Sequence, residues 1–394
     1  MIITNYEKFL ESNASKDMWS IIPDSVKELH KLFQANGKKL FVVGGAVRDF
    51  LNGEKPKDFD LATDALPDQV QSILKGYKTQ LQGEAFGVVV VRTDDQPEGM
   101  EIATFREDEY GAKLGQTRNP DVKFSTIEKD VERRDIPYNA LFYDLDKKEI
   151  VDLVGGLKDL ENKVTRFVGK PELRIQEDPL RILRLFRFNC RYQFQIDEAT
   201  SKAILENKDS LSIITKERVW EEIKKAFKQA KDFTQYFELM NQFDIWSVIF
   251  PRIKINPNIQ KSNYLEIYFA NLFKLEDITN PKPGEWRIKL MDMMVQNFKM
   301  DIDFSRKVIF LIDLLDLSPE NVMDLYKKKV VSRVTDDMIN EWLDLNEIDE
   351  PMFDKFLDYA PSVSAEDLMS KGFKGKALGD EIKRLEIEKF KSMI

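Results

Sequence analysis

The chain has 394 residues, 60 Lys+Arg against 69 Asp+Glu, and so a formal charge of −9; that length predicts two to four domains with ample core. A single histidine excludes His-rich metal clusters and makes zinc-hydrolase or HD-type chemistry implausible. The acidic total excludes a general affinity for nucleic acid, so any such affinity must come from local basic surfaces.

In chain order, Met1 to Asp17 carries Glu7, Glu11 and Asp17 and lacks a basic-then-apolar profile, so no leader is expected. Val26, Leu29, Leu32 and Phe33 fall at helical spacing before Asn36-Gly37, which makes 1–37 a helical segment. From Lys39 the pattern changes. Phe41-Val42-Val43, Val88 to Val91 and Met100 to Phe105 read as short strands, with a helix at Leu66 to Leu74 between them. A mixed α/β head is thus expected over 38–156. Past Asp159 the chain reads as helix, predicting a neck at 157–235 and a helical body and tail at 236–394. Its breaks are Pro251 to Asn258, Asn280 to Gly284 and Asp349-Glu350-Pro351. Cys190 has no partner for an intramolecular disulfide, which fits a reducing, cytoplasmic setting. No apolar run reaches the roughly 18–20 residues of a spanning helix, so no membrane association is expected, and no obligate protein partner is evident.

Lys57-Asp58-Phe59-Asp60-Leu61 is the sharpest chemical signal. On a strand, Asp58 and Asp60 would share a face while Phe59 and Leu61 point the other way. Two such carboxylates repel unless a cation lies between them, and Mg²⁺ commonly joins one or two carboxylates to substrate phosphates. Glu101, on a neighbouring strand, is the candidate third carboxylate. Upstream, Phe41 to Asp49 reads as a buried strand entering Gly44-Gly45 and then a helix. Glycines there let a phosphate approach the backbone at a helix N-terminus, and Arg48 could pair with it bidentately. Neither P-loop nor dinucleotide-fingerprint spacing is present.

Gly44-Gly45-Ala46-Val47-Arg48-Asp49 followed by Asp58-Phe59-Asp60-Leu61-Ala62-Thr63 resembles the head of class II tRNA nucleotidyltransferases. These are the bacterial-type CCA-adding enzymes, relatives of bacterial poly(A) polymerases within the polymerase-β-like superfamily. Further blocks resemble the family in order: Glu101 to Arg106 its third-carboxylate strand, Asp130 to Leu141 its ribose-reading block, and Asp152 to Leu160 its head-to-neck junction. Glu177 to Phe188 resembles its nucleobase-reading helix and Glu217 to Ile223 the helix supporting it.

The resemblance implies a nucleotidyltransferase head with a small mixed sheet, followed by a mostly α-helical neck, body and tail. It implies two-metal catalysis, with Asp58 and Asp60 holding Mg²⁺, Glu101 as third acid, and Gly44, Gly45 and Arg48 on the triphosphate. Arg134, Asp135 and Asn139 would contact ribose and phosphates. Asp178 and Arg181 would select CTP and ATP without a template, Arg184 and Arg187 continuing the same ridge. The plainer reading of Asp178-Pro179 is a helix N-cap followed by Pro at the first helical position.

Residues 163–187 hold seven Lys/Arg against three acids, a +4 patch suited to a polyanion; Lys327 to Lys329 and Lys371 to Lys376 are lesser clusters. Glu107 to Asn119, polar and holding Gly111 and Gly115, reads as the mobile loop that the family uses to add the final A. Glu366 to Gly379 resembles the CCA-adding tail, and no long basic extension suggests poly(A) tailing. CCA addition to tRNA is the favoured reading. A poly(A) polymerase or A-adding enzyme is the alternative, and an RNA-binding protein with an inactive head the non-enzyme rival. One departure is Ile136-Pro137-Tyr138, where the family usually has Phe-Thr-Ile; Pro137 removes a backbone donor.

Overall fold

The computed structural model of the chain describes residues 17–82, 87–110, 121–251, 259–274 and 285–394. The expectations for residues 1–16, for Gly111 and Gly115, and for the breaks at 252–258 and 280–284 lie outside them.

Leu40–Val43 forms β1, the strand around which the head is built. Its four residues are all buried, as β-branched and aromatic side chains favour on a strand covered on both faces. Two parallel neighbours lie beside antiparallel partners. β2 (Asp60–Thr63) runs antiparallel to β1 and parallel to β5 (Gln96–Thr104). With β3 (Lys78–Gln82), β4 (Val88–Thr93), β8 (Phe142–Asp144) and β9 (Glu149–Val151) the order is β3-β4-β5-β2-β1-β8-β9. On one face Phe41, Val43, Ala62, Phe105 and Phe142 make a common core, with Phe41, Phe105 and Phe142 in mutual ring contact at 5.7–6.1 Å. The helix Asp24–Ala35 packs against β1 through Val26, Leu29 and Phe33 on its buried side.

The expected strands and the helix at 66–74 are all present, the last as Pro67–Ile73. The expected loop at 107–119 is different at its start. Arg106–Glu109 is a strand, β6, paired antiparallel with β7 (Asp121–Phe124).

At the end of the head, Asp152 caps the helix Gly156–Asn162. Its Oδ1 accepts from the N–H groups of Val154, Gly155 and Gly156 at 2.8–3.2 Å, and its Oδ2 from Leu157 N–H at 3.0 Å. A short parallel pair, β10 (Val164–Thr165) with β11 (Gln195–Ile196), and helices Pro171–Glu177, Arg181–Tyr192 and Glu198–Asn207 follow. These belong to the same compact unit as the sheet, which runs to Ile214 and includes Gln229–Lys231.

The second unit, Thr215–Lys228 with Asp232–Ile394, is helical. Phe233, Phe237, Tyr268, Phe269 and Trp220 form an aromatic core by edge and stacked contacts. In its tail the buried Glu386 accepts from the backbone N–H groups of Ser362 and Val363, both 2.6 Å, and from Tyr359 O–H at 2.9 Å. Among the described residues no helix is long and apolar enough to cross a membrane.

Candidate active site

A cavity of about 430 Å³ opens where β1 and β2 meet the helix Arg181–Tyr192. Of the residues singled out in the sequence, it gathers Gly44, Gly45, Arg48, Asp60, Arg134 and Asp135, together with Asn139, Asp178, Arg181 and Arg184. Asp58 and Glu101 do not line it, but their charges act on Asp60, which does. Arg187 does not line it: its guanidinium donates to Gln229 Oε1 at 2.8 Å and lies 4.2 Å from the Phe188 ring.

The chain reaches the cavity through a turn that needs glycine. Gly44 adopts φ +69°, ψ −114°, which L side chains rarely reach, and a Cβ there would meet Asn139 O at 3.4 Å. Gly45 then begins the helix Gly45–Leu51. Arg48 departs from expectation. It is buried, with Nε and Nη2 on Asp49 Oδ1 at 2.9 and 2.8 Å, Nη1 on Asn139 Oδ1, and the rings of Phe188 and Tyr192 within 5.4 Å. The fork suggested for a phosphate therefore braces the cavity wall.

The acids keep the expected alternation with one correction. β2 begins at Asp60, so Asp58 precedes the strand instead of sharing it. Phe59 and Leu61 are nonetheless buried while Asp58 and Asp60 face outward. Leu61 stands opposite Ile102 across the parallel β2–β5 ladder, and Glu101 faces outward one residue before that pair. Asp60 retains an open face but is crowded by protein atoms. That desolvation, then the charges of Glu101 and Asp58, push its pKa up to about 6 against the pull of Arg134. Among the described residues no group of three or more His, Cys, Asp or Glu makes a ready metal cage. What is present is a set of mutually repelling oxygen donors with room beside them, the donor chemistry that Mg²⁺ completes with waters and substrate oxygens.

The opposite wall is made of arginines held by acids. Asp130 is buried beneath two of them: its Oδ1 accepts from Arg133 at 2.6 and 2.9 Å, its Oδ2 from Arg134 at 2.8 and 3.0 Å. Asp135, also buried, accepts from Arg184 at 2.6 and 2.8 Å; burial alone would raise its pKa, yet Arg184 outweighs it and holds the carboxyl far below the usual range. Arg181 is buried and donates to Glu177, to the Arg133 carbonyl at 3.0 Å and to Tyr110 at 3.4 Å. Asp178 is no N-cap of the regular kind. The helix starts at Arg181, and Asp178 Oδ1 accepts from Leu180 N–H at 3.2 Å in the turn before it. Pro137 is accommodated at the first position of the 3₁₀ turn Pro137–Asn139, where its missing N–H costs nothing. The +4 patch is largely internal: Arg166, Arg174, Arg181, Arg184 and Arg187 all have acceptors within the unit.

Sequence reasoning missed Asp108, Arg133 and Phe188 on the cavity wall. Asp108 was hidden inside the supposed loop. Arg133 had a legible signal, since i and i+3 from Asp130 puts it on the same helical face as its partner.

A mixed sheet thus presents outward acids next to a Gly-Gly turn, with an arginine-lined, nucleotide-sized cavity beside them. Residues 40–166 match the family described as "Poly A polymerase head domain", and residues 193–255 the one described as "Probable RNA and SrmB- binding site of polymerase A". These two segments, each less than half of the chain, carry the likeness to those two domain families. The chain is 35% identical over 242 residues to Poly(A) polymerase I of Salmonella typhi, covering 59% of this chain and 51% of that protein. It is 39% identical over 218 residues to the mitochondrial CCA tRNA nucleotidyltransferase 1 of Homo sapiens, covering 54% and 49%. The chain thus spans about half the length of the curated relatives it matches. Among solved structures, the Bacillus stearothermophilus CCA-adding enzyme in complex with CTP aligns over 95% of this chain and 94% of its own, with TM-score 0.69 and 22% identity. The Thermotoga maritima CCA-adding enzyme complexed with tRNA aligns over 95% and 94%, with TM-score 0.65 and 20% identity. At those identities the likeness is one of fold.

Proposed function

We propose that the chain adds CCA to the 3′ ends of tRNA from CTP and ATP, without a template, releasing pyrophosphate. The observation that carries this reading is the cavity that joins Asp60, the Gly44-Gly45 turn and the Asp178–Arg181 pair, with the charges of Glu101 and Asp58 acting on Asp60. The primer 3′-oxygen would bond to the α-phosphorus as the α–β phosphoanhydride bond breaks. Asp58 and Asp60 would hold Mg²⁺, and Glu101 would complete the acidic face. The bound ion would supply Lewis-acid activation of the hydroxyl and charge neutralisation on the leaving group. Gly44 and Gly45 let the triphosphate approach the backbone. Arg134, kept in place by Asp130, adds positive charge, and Arg48 with Asn139 fixes that wall. Asp135 and Arg184 brace the floor on which Asp178 and Arg181 would meet the base edge as acceptor and donor. On this reading 38–156 is the catalytic head, 157–235 the neck with its base-reading helix, and 236–394 the tRNA-binding body and tail. Buried, solitary Cys190 supports a cytoplasmic setting.

Poly(A) tailing is the second reading, favoured by the 35% identity to poly(A) polymerase I. A tRNA transcript lacking its 3′ CCA, incubated with Mg²⁺ and CTP, ATP or both, separates them on a sequencing gel. Addition of C, C and A that then stops supports CCA synthesis. A long ladder from ATP alone replaces it with poly(A) tailing, and no extension leaves an RNA-binding protein with an inactive head.

A further inference from the structure

The helical unit contains a larger open cavity, about 740 Å³, that nothing above uses. It is a trough between three helical stretches: Glu285–Asp292 with its continuation Met293–Asn297, Ile302–Leu314 and Val322–Ser332. Its floor runs from Ile302 to Phe310 of the second helix, about 12 Å at 1.5 Å per residue. Ile288, Met291 and Val295 come from the first stretch at i, i+3 and i+7, Ile302 and Ile309 from the second, Val331 from the third. Ile288 (73% exposed) and Val331 (62%) are the two most exposed large hydrophobic residues among those described, and Ile302 is 52% exposed. Scattered exposed aliphatics need no explanation, but three converging on one concave surface do.

The rim is basic. Arg287, Arg306, Lys327 and Lys328 surround the trough, with Asp292 the one carboxylate among its lining residues. Beneath it the fully buried Asp313 anchors two of these cations, accepting from Arg287 and from Lys328 at 2.6 Å. Arg306 is held loosely by Asp303 at 3.3 Å on the surface. Such a cluster of cations is conspicuous in a chain of charge −9. Phe310 is the one aromatic residue in the lining and is buried, so the trough offers no exposed aromatic platform for stacking, which disfavours a nucleobase. The volume lies within the range of about 300–1,000 Å³ typical of small-molecule sites.

We propose that this trough binds an amphipathic organic anion, its hydrocarbon body along Ile288, Ile302 and Val331 and its carboxylate or sulfate end on the Arg306–Lys327 rim. The site is independent of the nucleotide reading. Isothermal titration of the full chain with sodium dodecanoate, below its micelle concentration, tests it; dodecyltrimethylammonium is the cationic control. The expected result is one dodecanoate per chain, weakened at least about tenfold (~1.4 kcal/mol) by the double variant Ile288→Asp, Val331→Asp and by Arg306→Glu, Lys327→Glu. These positions are on the surface, and an unchanged melting temperature would establish that the variants fold. Absence of binding up to about 1 mM, equal binding of the cationic control, or binding indifferent to both double variants would overturn the proposal. Displacement of dodecanoate by a stoichiometric tRNA transcript would also overturn it, in favour of an RNA surface.

Discussion

Replacing Asp130 by Asn removes the one charge that holds both Arg133 and Arg134 in the cavity wall. The carboxylate is buried and takes four side-chain hydrogen bonds from the two guanidinium groups, at 2.6–3.0 Å. Removing one partner of a buried ion pair costs about 3–5 kcal/mol. Here the arginine side chains keep 19% and 17% of their surface exposed, so water recovers part of the loss, and about 2–3 kcal/mol is expected. For a unit of this size that lowers the melting temperature by about 4–12 °C. Burial alone would raise the Asp130 carboxyl, but Arg134 and Arg133 outweigh it and its pKa lies below the ordinary value. A group depressed in the folded state contributes its stability above the unfolded pKa, about 3.9, and loses it as pH falls through the folded value. The gap between wild type and Asp130→Asn should therefore stay constant from pH 7 to about 5 and narrow below about 4. Differential scanning calorimetry over that range, with KM for CTP at pH 7, measures both consequences, and KM should rise as the arginines lose their hold. A variant melting within about 1 °C of wild type at pH 7, with an unchanged gap in acid, would refute the reasoning.

Gly156→Ala should destabilise the head by at least about 2 kcal/mol, because its Cβ would lie 2.4 Å from Pro137 O and 2.7 Å from Pro137 C, both backbone atoms; a wild-type denaturant midpoint would contradict this. Arg181→Ala should reduce CTP-versus-ATP discrimination by about tenfold, one base-edge pair being worth about 1–3 kcal/mol; an unchanged ratio of kcat/KM values would remove Arg181 from base selection. Glu386→Ala leaves the N–H groups of Ser362 and Val363 and the Tyr359 hydroxyl without their acceptor, a loss of about 2–3 kcal/mol. Limited proteolysis should then cut near 359–363 first, and an unchanged digestion pattern would show that the tail is held by other contacts.

Local periodicity made the sheet readable. Phe41-Val42-Val43, the valine run at 88–91 and the alternation around Glu101 each carry a strand signal within four to six residues, and each is a strand. The acids were legible for the same reason: Asp58 and Asp60 alternate with buried Phe59 and Leu61 even though only Asp60 belongs to β2. What the sequence concealed was engagement. Arg48 and Arg181 read as open forks, yet besides the local Asp49 and Glu177 each has a distant acceptor, Asn139 and the Arg133 carbonyl, 91 and 48 residues away along the chain. No periodic pattern reports a partner at that separation. Asp108 was missed because β6 is polar on both faces and exists by pairing with β7, which leaves no apolar alternation to detect.

The central claim is that the outward acids of the head transfer a nucleotide to an RNA 3′ end. Its most direct test is single-turnover extension of an end-labelled tRNA transcript lacking CCA, with CTP and Mg²⁺, by the intact chain and by Asp58→Ala and Asp60→Ala. The intact chain should add C and stop doing so in EDTA. Each variant should be at least about a thousandfold slower, the several kcal/mol that metal-held charge stabilisation supplies, while still folding and binding CTP. Extension by either variant at the intact rate, or extension indifferent to EDTA, would contradict the assignment.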